Sequence, residues 1–245
     1  MANEVTGRVN TQFNKVEDYF KLKEENRRVH RLNDSLLNLM PGNFMQKDSN
    51  FQLKIDSSSL DKNGFHRRYI FRPAIVVYNT VNAQKNYIQI NKGASQGIKD
   101  NMAVISSNGS AVGVVVNVSA NFSQVMSLLH VQSTVSVALK KSNEFGIIEW
   151  DGKDPRYLIL KRIPKTAGVV IGDTILTSSV SFNFPPGYMV GTVADIRLDN
   201  TSGMYSLKVK TAANFYNLHQ VHVIENIEYD EQTRLNAETG KKNLK

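Results

Sequence analysis

The chain has 245 residues, of which 41% are hydrophobic and 21% charged, and its formal net charge is +8. This composition is typical of a folded protein with one or two small domains and excludes general disorder. The absence of cysteine excludes disulfides, thiolate catalysis and cysteine metal sites. No apolar run approaches the roughly 20 residues that span a bilayer, so we expect a soluble chain from which an upstream anchor has been removed.

The basic residues are dispersed along the chain. This dispersion indicates a solvated surface in the first place and a surface facing an anionic membrane in the second. Nucleic acid is not expected as a partner, because no run interleaves aromatic residues with lysine and arginine.

Residues 5–40 are predicted to form one long helix that ends before Pro41. Apolar residues recur three and four positions apart, and their phase slips between Phe20 and Leu22, which resembles a coiled-coil stutter. We predict a two-stranded coiled coil in which Asn26 sets the register, so that residues 1–40 form a homodimer. A helix packed along its own domain is the alternative. The predicted dimerisation positions are Val9, Phe13, Val16, Phe20, Leu22, Asn26, Val29, Leu32, Leu36 and Leu39.

The next segment, residues 41–72, is polar and is predicted to be a linker. From Pro73 onward the apolar residues alternate with a period of two. The predicted strands are Ala74–Val81, Tyr87–Asn91, Met102–Ser106, Val112–Val118, Val125–Leu129, Val135–Lys140, Phe145–Trp150, Tyr157–Ile163, Thr174–Thr177, Met189–Arg197, Tyr205–Lys210 and Val221–Asn226. Short strands separated by glycine turns indicate barrels or sandwiches, and about twelve strands are too many for one small barrel.

The predicted fold is therefore mainly β, with a long N-terminal α-helix followed by two small six-stranded barrels. The first barrel is placed at residues 73–150 and the second at residues 151–228, with the provision that strands can be exchanged between them. A polar tail over residues 229–245 is expected to be loosely ordered.

A weak internal repeat supports two β units. The sequence VGVVVNV at residues 112–118 matches VGTVADI at residues 190–196, an offset of 78 (190 − 112). Upstream, GIKDNMAV at residues 97–104 loosely matches VVIGDTIL at residues 169–176, an offset of 72 (169 − 97). Two diverged copies of one small unit explain both matches.

The motifs indicate no enzyme and no metal site. His219 and His222 lie three apart near a predicted strand, where such positions face opposite sides. No glycine elbow surrounds Ser178 and Ser179, and neither GxxxxGK[ST] nor GxGxxG occurs. We predict no catalytic residue, no cofactor and no metal ligand.

The segment GDTILTSSVSFNFPPGYMVGTVADI, residues 172–196, is interpreted as backbone geometry. The predicted turn residues are Gly172, Asp173, Pro185, Pro186, Gly187 and Gly191. Glycine permits positive φ or a close backbone approach, and proline makes a rigid corner. Phe182, Phe184 and Tyr188 belong to the same segment, where they either plug a barrel mouth or form a patch for a partner.

Several of these segments together resemble the MreC family of rod shape-determining proteins. The resemblance lies in residues 88–106, 110–129 and 172–193, and in the coiled-coil-like residues 24–39. Ser179 departs from it, because a glycine is expected there. The resemblance implies the part of a bacterial inner-membrane protein that projects into the periplasm, with an N-terminal membrane helix that this sequence lacks.

The resemblance also implies a function without enzyme activity. It implies a scaffold of the cell-elongation machinery that forms a homodimer or a higher assembly. Its implied partners are the elongation-specific peptidoglycan transpeptidase, MreD and other proteins of the complex. The alternative is a periplasmic adaptor subunit of an efflux or secretion pump. Adaptors split a lipoyl-like domain around a helical hairpin, whereas here one helix precedes all the strands.

Overall fold

The computed structural model describes residues 24–40, 44–45, 66–199 and 203–242. The chain divides into two units, Met1–Met40 and Pro41–Lys245. In the first unit, residues 24–39 form helix α1. This is the C-terminal part of the predicted long helix, and a coiled coil is not shown. Five predicted dimerisation positions lie outside the described residues: Val9, Phe13, Val16, Phe20 and Leu22.

The second unit is mainly β. Its described strands are β1 (Phe44–Met45), β2 (His66–Arg67), β3 (Tyr69–Asn79), β4 (Lys85–Ile90), β5 (Ala103–Ser106), β6 (Ala111–Val118), β7 (Ser123–His130), β8 (Thr134–Leu139), β9 (Phe145–Glu149), β10 (Tyr157–Ile163), β11 (Thr174–Thr177), β12 (Met189–Leu198), β13 (Tyr205–Thr211) and β14 (Gln220–Asn226). Helix α2 follows at Tyr229–Lys242. Each of the predicted strands is present, as β3 to β14.

Two predicted boundaries differ from the structure. The predicted linker over residues 41–72 contains the paired strands β1 and β2 and the start of β3. β3 begins at Tyr69 and continues through Pro73. Pro73 lies opposite His222 in β14, although proline has no N–H to donate to the neighbouring strand. The β region therefore begins before this proline, the predicted start of the period-two pattern.

The predicted polar tail over residues 229–245 contains helix α2. Asp230 and Glu231 lie in its first turn, where negative charge is favourable beside the helix dipole. The hydroxyl of Thr233 donates to the carbonyl oxygen of Tyr229 over 2.8 Å. The helix has no continuous apolar stripe, and so the hydrophobic period did not reveal it.

Twelve strands form two closed antiparallel barrels, as predicted. The order is β14-β3-β4-β7-β6-β5 in the first barrel and β10-β13-β12-β11-β8-β9 in the second. The barrels depart from the predicted ranges, because residues 73–150 include β8 and β9 of the second barrel and residues 151–228 include β14 of the first. The prediction allowed for strands exchanged between the barrels. Consecutive strands are usually neighbours, but here the short connection after β7 leads into the other barrel.

The strand register agrees with the internal repeat. Gly113 in β6 faces Val104 in β5, and Gly191 in β12 faces Ile175 in β11. A register shift follows each of these pairs at the same place. The offset between the glycines is the predicted 78 (191 − 113), whereas the facing strands are offset by 71 (175 − 104), one residue less than the sequence match suggested.

The register also shows that the two repeats exchange their last strands. Val125 in β7 is equivalent to Val209 in β13, and Leu139 in β8 to Val223 in β14, with one offset of 84 residues (209 − 125 and 223 − 139). The first repeat therefore spans β3 to β8 and the second β9 to β14. Each barrel is closed by the sixth strand of the other repeat, so neither barrel is continuous in sequence.

Candidate functional site

The connection between β11 and β12, residues 178–188, lies between the barrels and is called here the inter-barrel segment. The side-chain amide of Asn183 donates to the carbonyl oxygen of Asn101, in the first barrel, over 2.7 Å. The amide of Asn226, in β14, donates to the carbonyl oxygen of Phe182 over 2.8 Å. These two hydrogen bonds attach a segment of the second barrel to the first.

The three aromatic residues predicted as a partner patch differ in exposure. Phe184 is 1% exposed and Phe182 36% exposed. The ring of Tyr188 lies 6.3 Å from that of Phe71 in the first barrel, and burial raises the pKa of Tyr188 to about 12. The patch prediction is wrong for Phe184, because a buried ring cannot contact a partner. Its burial fits the alternative interpretation, a plug.

The proline corner of this segment is held by Thr177. Its hydroxyl donates to the carbonyl oxygen of Pro185 over 2.6 Å and accepts from the backbone N–H of Tyr188 over 2.9 Å. Pro186 is exposed and Gly187 has φ of +92°. That backbone region is one that glycine enters without steric cost.

The other predicted turn residues also have backbone roles. Gly172 has φ of +94°, and a carboxylate oxygen of Asp173 accepts from the backbone N–H of Val170 over 2.9 Å. A Cβ atom on Gly191 would overlap the carbonyl oxygen of Lys210 in β13. The position therefore requires glycine.

The serines of this region form a turn. Ser178 is buried, and its hydroxyl accepts from the backbone N–H of Val180 over 3.0 Å. Ser179 does not have positive φ, so the glycine expected there is not required. Within the described residues, no group of three or more His, Asp or Glu side chains is arranged to hold a metal ion.

An uncharged surface covers one side of the first barrel. This neutral face consists of Tyr78, Tyr87, Gln89, Asn117, Gln124 and Met126. In the strand register Gln89 lies between Tyr78 and Gln124, and Gln124 lies beside Asn117. Tyr78 is 58% exposed. Lys85, at the first position of β4, is the one charged residue in β4, β6 and β7.

The neutral face was not among the predicted sites, although the sequence contains a signal for it. Residues 101–139 include no Asp, Glu, Lys or Arg, a run of 39 residues (139 − 101 + 1), in a chain with 30 basic and 22 acidic residues. The hydrophobic pattern located the strands in this run, but only the strand register shows which of their residues are adjacent.

The second barrel carries charge at the equivalent positions. In the first barrel, Tyr78, Gln89, Gln124 and Asn117 form one uncharged row across four strands. The equivalent row of the second barrel consists of Glu149, Ile159, Lys208 and Asp195. The equivalents of Gln124 and Met126 are Lys208 and Lys210. The barrel fold therefore accepts charge in this row, and folding alone does not account for the neutral face.

Helix α1 presents an apolar stripe. Val29, Leu32, Leu36 and Leu39 recur three and four positions apart and are between 41% and 66% exposed. Asn26 is also exposed. Neither described helix is long and apolar enough to cross a membrane.

The fold defines a class, a protein of two closed six-stranded barrels, and the neutral face distinguishes its first barrel from its second. Residues 76–225, more than half of the chain, match the family described as "Rod shape-determining protein MreC, barrel core". The chain belongs to this family of cell shape-determining proteins. Membership in a cell shape-determining family argues against the pump adaptor.

A relative in sequence agrees with this assignment, and solved structures share the fold. The cell shape-determining protein MreC of Listeria monocytogenes is 30% identical over 182 residues, covering 73% of this chain and 60% of the relative's length. A solved Listeria monocytogenes MreC structure covers 86% of this chain and 92% of its own, with TM-score 0.60 and 26% identity. MreC of Helicobacter pylori, solved in complex with penicillin-binding protein 2, covers 65% of this chain and 99% of its own, with TM-score 0.52 and 20% identity.

Proposed function

We propose that this chain is a non-catalytic scaffold of the bacterial cell-elongation machinery on the periplasmic side of the inner membrane. Its helix joins two copies, and its barrels bind the elongation-specific peptidoglycan transpeptidase, with MreD as a further membrane partner. Family membership supports the role in cell shape. The solved complex of penicillin-binding protein 2 with the Helicobacter pylori relative supports the choice of a transpeptidase.

The neutral face is the observation that carries the binding role. The buried centres of protein interfaces are depleted of charged residues and enriched in tyrosine and methionine. Tyr78, Tyr87 and Met126 meet this description, and Gln89 and Gln124 offer hydrogen bonds without the cost of burying an ion. The strand register holds these side chains in place, so little backbone order is lost on binding.

The apolar stripe of α1 supports the homodimer. Covering four exposed apolar side chains on one face of a helix removes apolar area from water, which is favourable. A second copy of the same helix covers them in a coiled coil. The dimer then presents two barrel pairs, and avidity strengthens binding to a clustered partner.

The test is a titration against the periplasmic part of the transpeptidase from the same organism, immobilised at high density. The full chain is compared with residues 41–245, whose oligomeric state is measured by sedimentation. We expect saturable binding by both, with the full chain dimeric and at least about tenfold tighter on the clustered surface. No binding by a folded full chain would contradict the transpeptidase assignment, and an unchanged dimer in residues 41–245 would contradict the role of the helix.

A further inference from the structure

His130 occupies the point where the chain crosses from the first barrel to the second. It is the last residue of β7, and β8 of the other barrel begins four residues later. Its ring is fully buried. Nδ1 lies 3.0 Å from the backbone nitrogen of Gln132, and Nε2 lies 3.2 Å from the hydroxyl of Tyr87. Because a backbone N–H can only donate, Nδ1 accepts, and the proton of the neutral ring is on Nε2.

The second repeat contains the same turn without a histidine. The offset of 84 residues makes Asn214 the equivalent of His130 (214 − 130). The Asn214 side-chain oxygen accepts from the backbone N–H of Tyr216 over 3.2 Å. The two turns also share a backbone bond, from Ser133 to the carbonyl of His130 and from Asn217 to that of Asn214. An imidazole nitrogen thus does in one turn what an amide oxygen does in the other.

The two acceptors differ in what acid does to them. An amide oxygen remains an acceptor at every physiological pH, whereas a protonated imidazole has two donors and no acceptor. Protonated Nδ1 would face the N–H of Gln132, donor against donor, inside a buried site. The hydrogen bond that closes the turn would be replaced by a repulsion.

The charged groups around the ring do not favour the imidazolium. Lys85 lies opposite His130 in the register, and Tyr87 is on the same strand. The crossover and β8, residues 131–139, contain no charged residue. β9, which also contacts β7, contains Glu149, and that carboxylate pairs with Lys161. Burial, and then the charge of Lys85, lower the pKa of His130.

We propose that His130 is a pH-responsive joint between the two barrels, in which the neutral ring closes the crossover turn and protonation opens it. The strand released by the opening is β8, which the second barrel needs for closure. Acidification therefore loosens the second barrel through a residue that lies in the first. The Asn214 turn, which returns the chain to the first barrel, does not respond.

The direction of the effect follows from linkage. Because the folded-state pKa is depressed, the contribution of the turn is complete above the ordinary histidine pKa of about 6.5 and is lost as the pH falls from there toward the folded pKa. One proton is taken up on opening. The opening equilibrium constant therefore rises by up to about tenfold per pH unit in this window.

The experiment is hydrogen exchange of the full chain between about pH 7.5 and about pH 5, with each rate divided by the intrinsic rate at that pH. Residues 211–218, which contain the Asn214 turn and no histidine, serve as the control inside the same molecule. We expect protection of residues 127–139 to fall up to about tenfold per pH unit below pH 6.5, while that of residues 211–218 stays constant. An equal change in both segments overturns the proposal.

The matched variant is His130→Asn, which copies the Asn214 turn and removes the titration. We expect its protection of residues 127–139 to be independent of pH; a variant as pH-sensitive as the native chain overturns the proposal. If the variant does not fold, the His130 ring of the native chain is titrated by NMR instead. A pKa at or above the ordinary value, or a neutral ring protonated at Nδ1, overturns the proposal.

Discussion

Replacing Phe184 by alanine tests the assignment of the inter-barrel segment. The ring is 1% exposed, and an aromatic side chain buries roughly 150–250 Å². At about 25 cal/mol per Å² the burial is worth roughly 4–6 kcal/mol as an upper bound. Alanine retains part of this area, but the ring leaves a cavity, so we expect a loss of about 3–5 kcal/mol in the free energy of unfolding.

The comparison variant is Phe182→Ala, two residues away in the same segment. Its ring is 36% exposed, and solvent fills the space that it leaves. We expect this variant to lose about 1–2 kcal/mol, because its backbone carbonyl still accepts from Asn226. Denaturant unfolding, followed by far-UV circular dichroism, measures the free energy of unfolding of both variants and of the native chain. A Phe184→Ala variant that loses no more stability than Phe182→Ala would refute the assignment of Phe184 as a buried plug and favour an exposed position for its ring.

Two further predictions concern backbone packing and pH. A methyl group on Gly191 overlaps the carbonyl oxygen of Lys210, so Gly191→Ala is expected to lower the free energy of unfolding by about 2 kcal/mol or more. Gly240→Ala in α2, whose added Cβ meets no atom, is the control and is expected to be neutral or to stabilise by up to about 1 kcal/mol; equal loss in both would contradict the close approach. For Glu225, burial raises the pKa, but hydrogen bonds from Lys99 and Arg72 outweigh it and hold the pKa below the ordinary value. The contribution of Glu225 to stability is therefore complete above its unfolded-state pKa and is lost as the pH falls through its folded-state pKa. Urea unfolding at several acidic pH values should show a shallower loss of stability for Glu225→Gln than for the native chain, and parallel curves would contradict the assignment.

The hydrophobic period was enough to locate the strands of both barrels. Alternation of buried and exposed side chains is a local property, and glycine turns separate the strands in sequence. The repeat could also be inferred from the sequence, because both copies keep a glycine at the same place. A Cβ atom on Gly113 would overlap the carbonyl oxygen of Met126, as one on Gly191 would overlap that of Lys210. The hydrophobic pattern does not show which strands pair when they are far apart in sequence. The exchange of β8 and β14 between the barrels therefore became visible only from the strand register.

The candidate site was less accessible to sequence reasoning. Phe182 and Phe184 have the same residue type and lie two positions apart, yet only one is buried. That difference depends on the first barrel, which approaches the segment through Asn101 and Asn226. The neutral face depends on rows across four strands, which a linear pattern does not show. Likewise, only the structure shows that the buried ring of His130 accepts a hydrogen bond from the backbone N–H of Gln132.

The most direct test of the proposed function exchanges charge between equivalent positions of the two barrels. Gln124→Lys puts into the neutral face the residue that the second barrel carries as Lys208, and Lys208→Gln is the matched control. Affinity for the periplasmic part of the transpeptidase and the melting temperature are measured for both. We expect Gln124→Lys to bind at least about tenfold more weakly, about 1.4 kcal/mol, with its melting temperature unchanged, and Lys208→Gln to bind as the native chain does. Native affinity in Gln124→Lys, or an equal loss in Lys208→Gln, would contradict the neutral face as the binding surface.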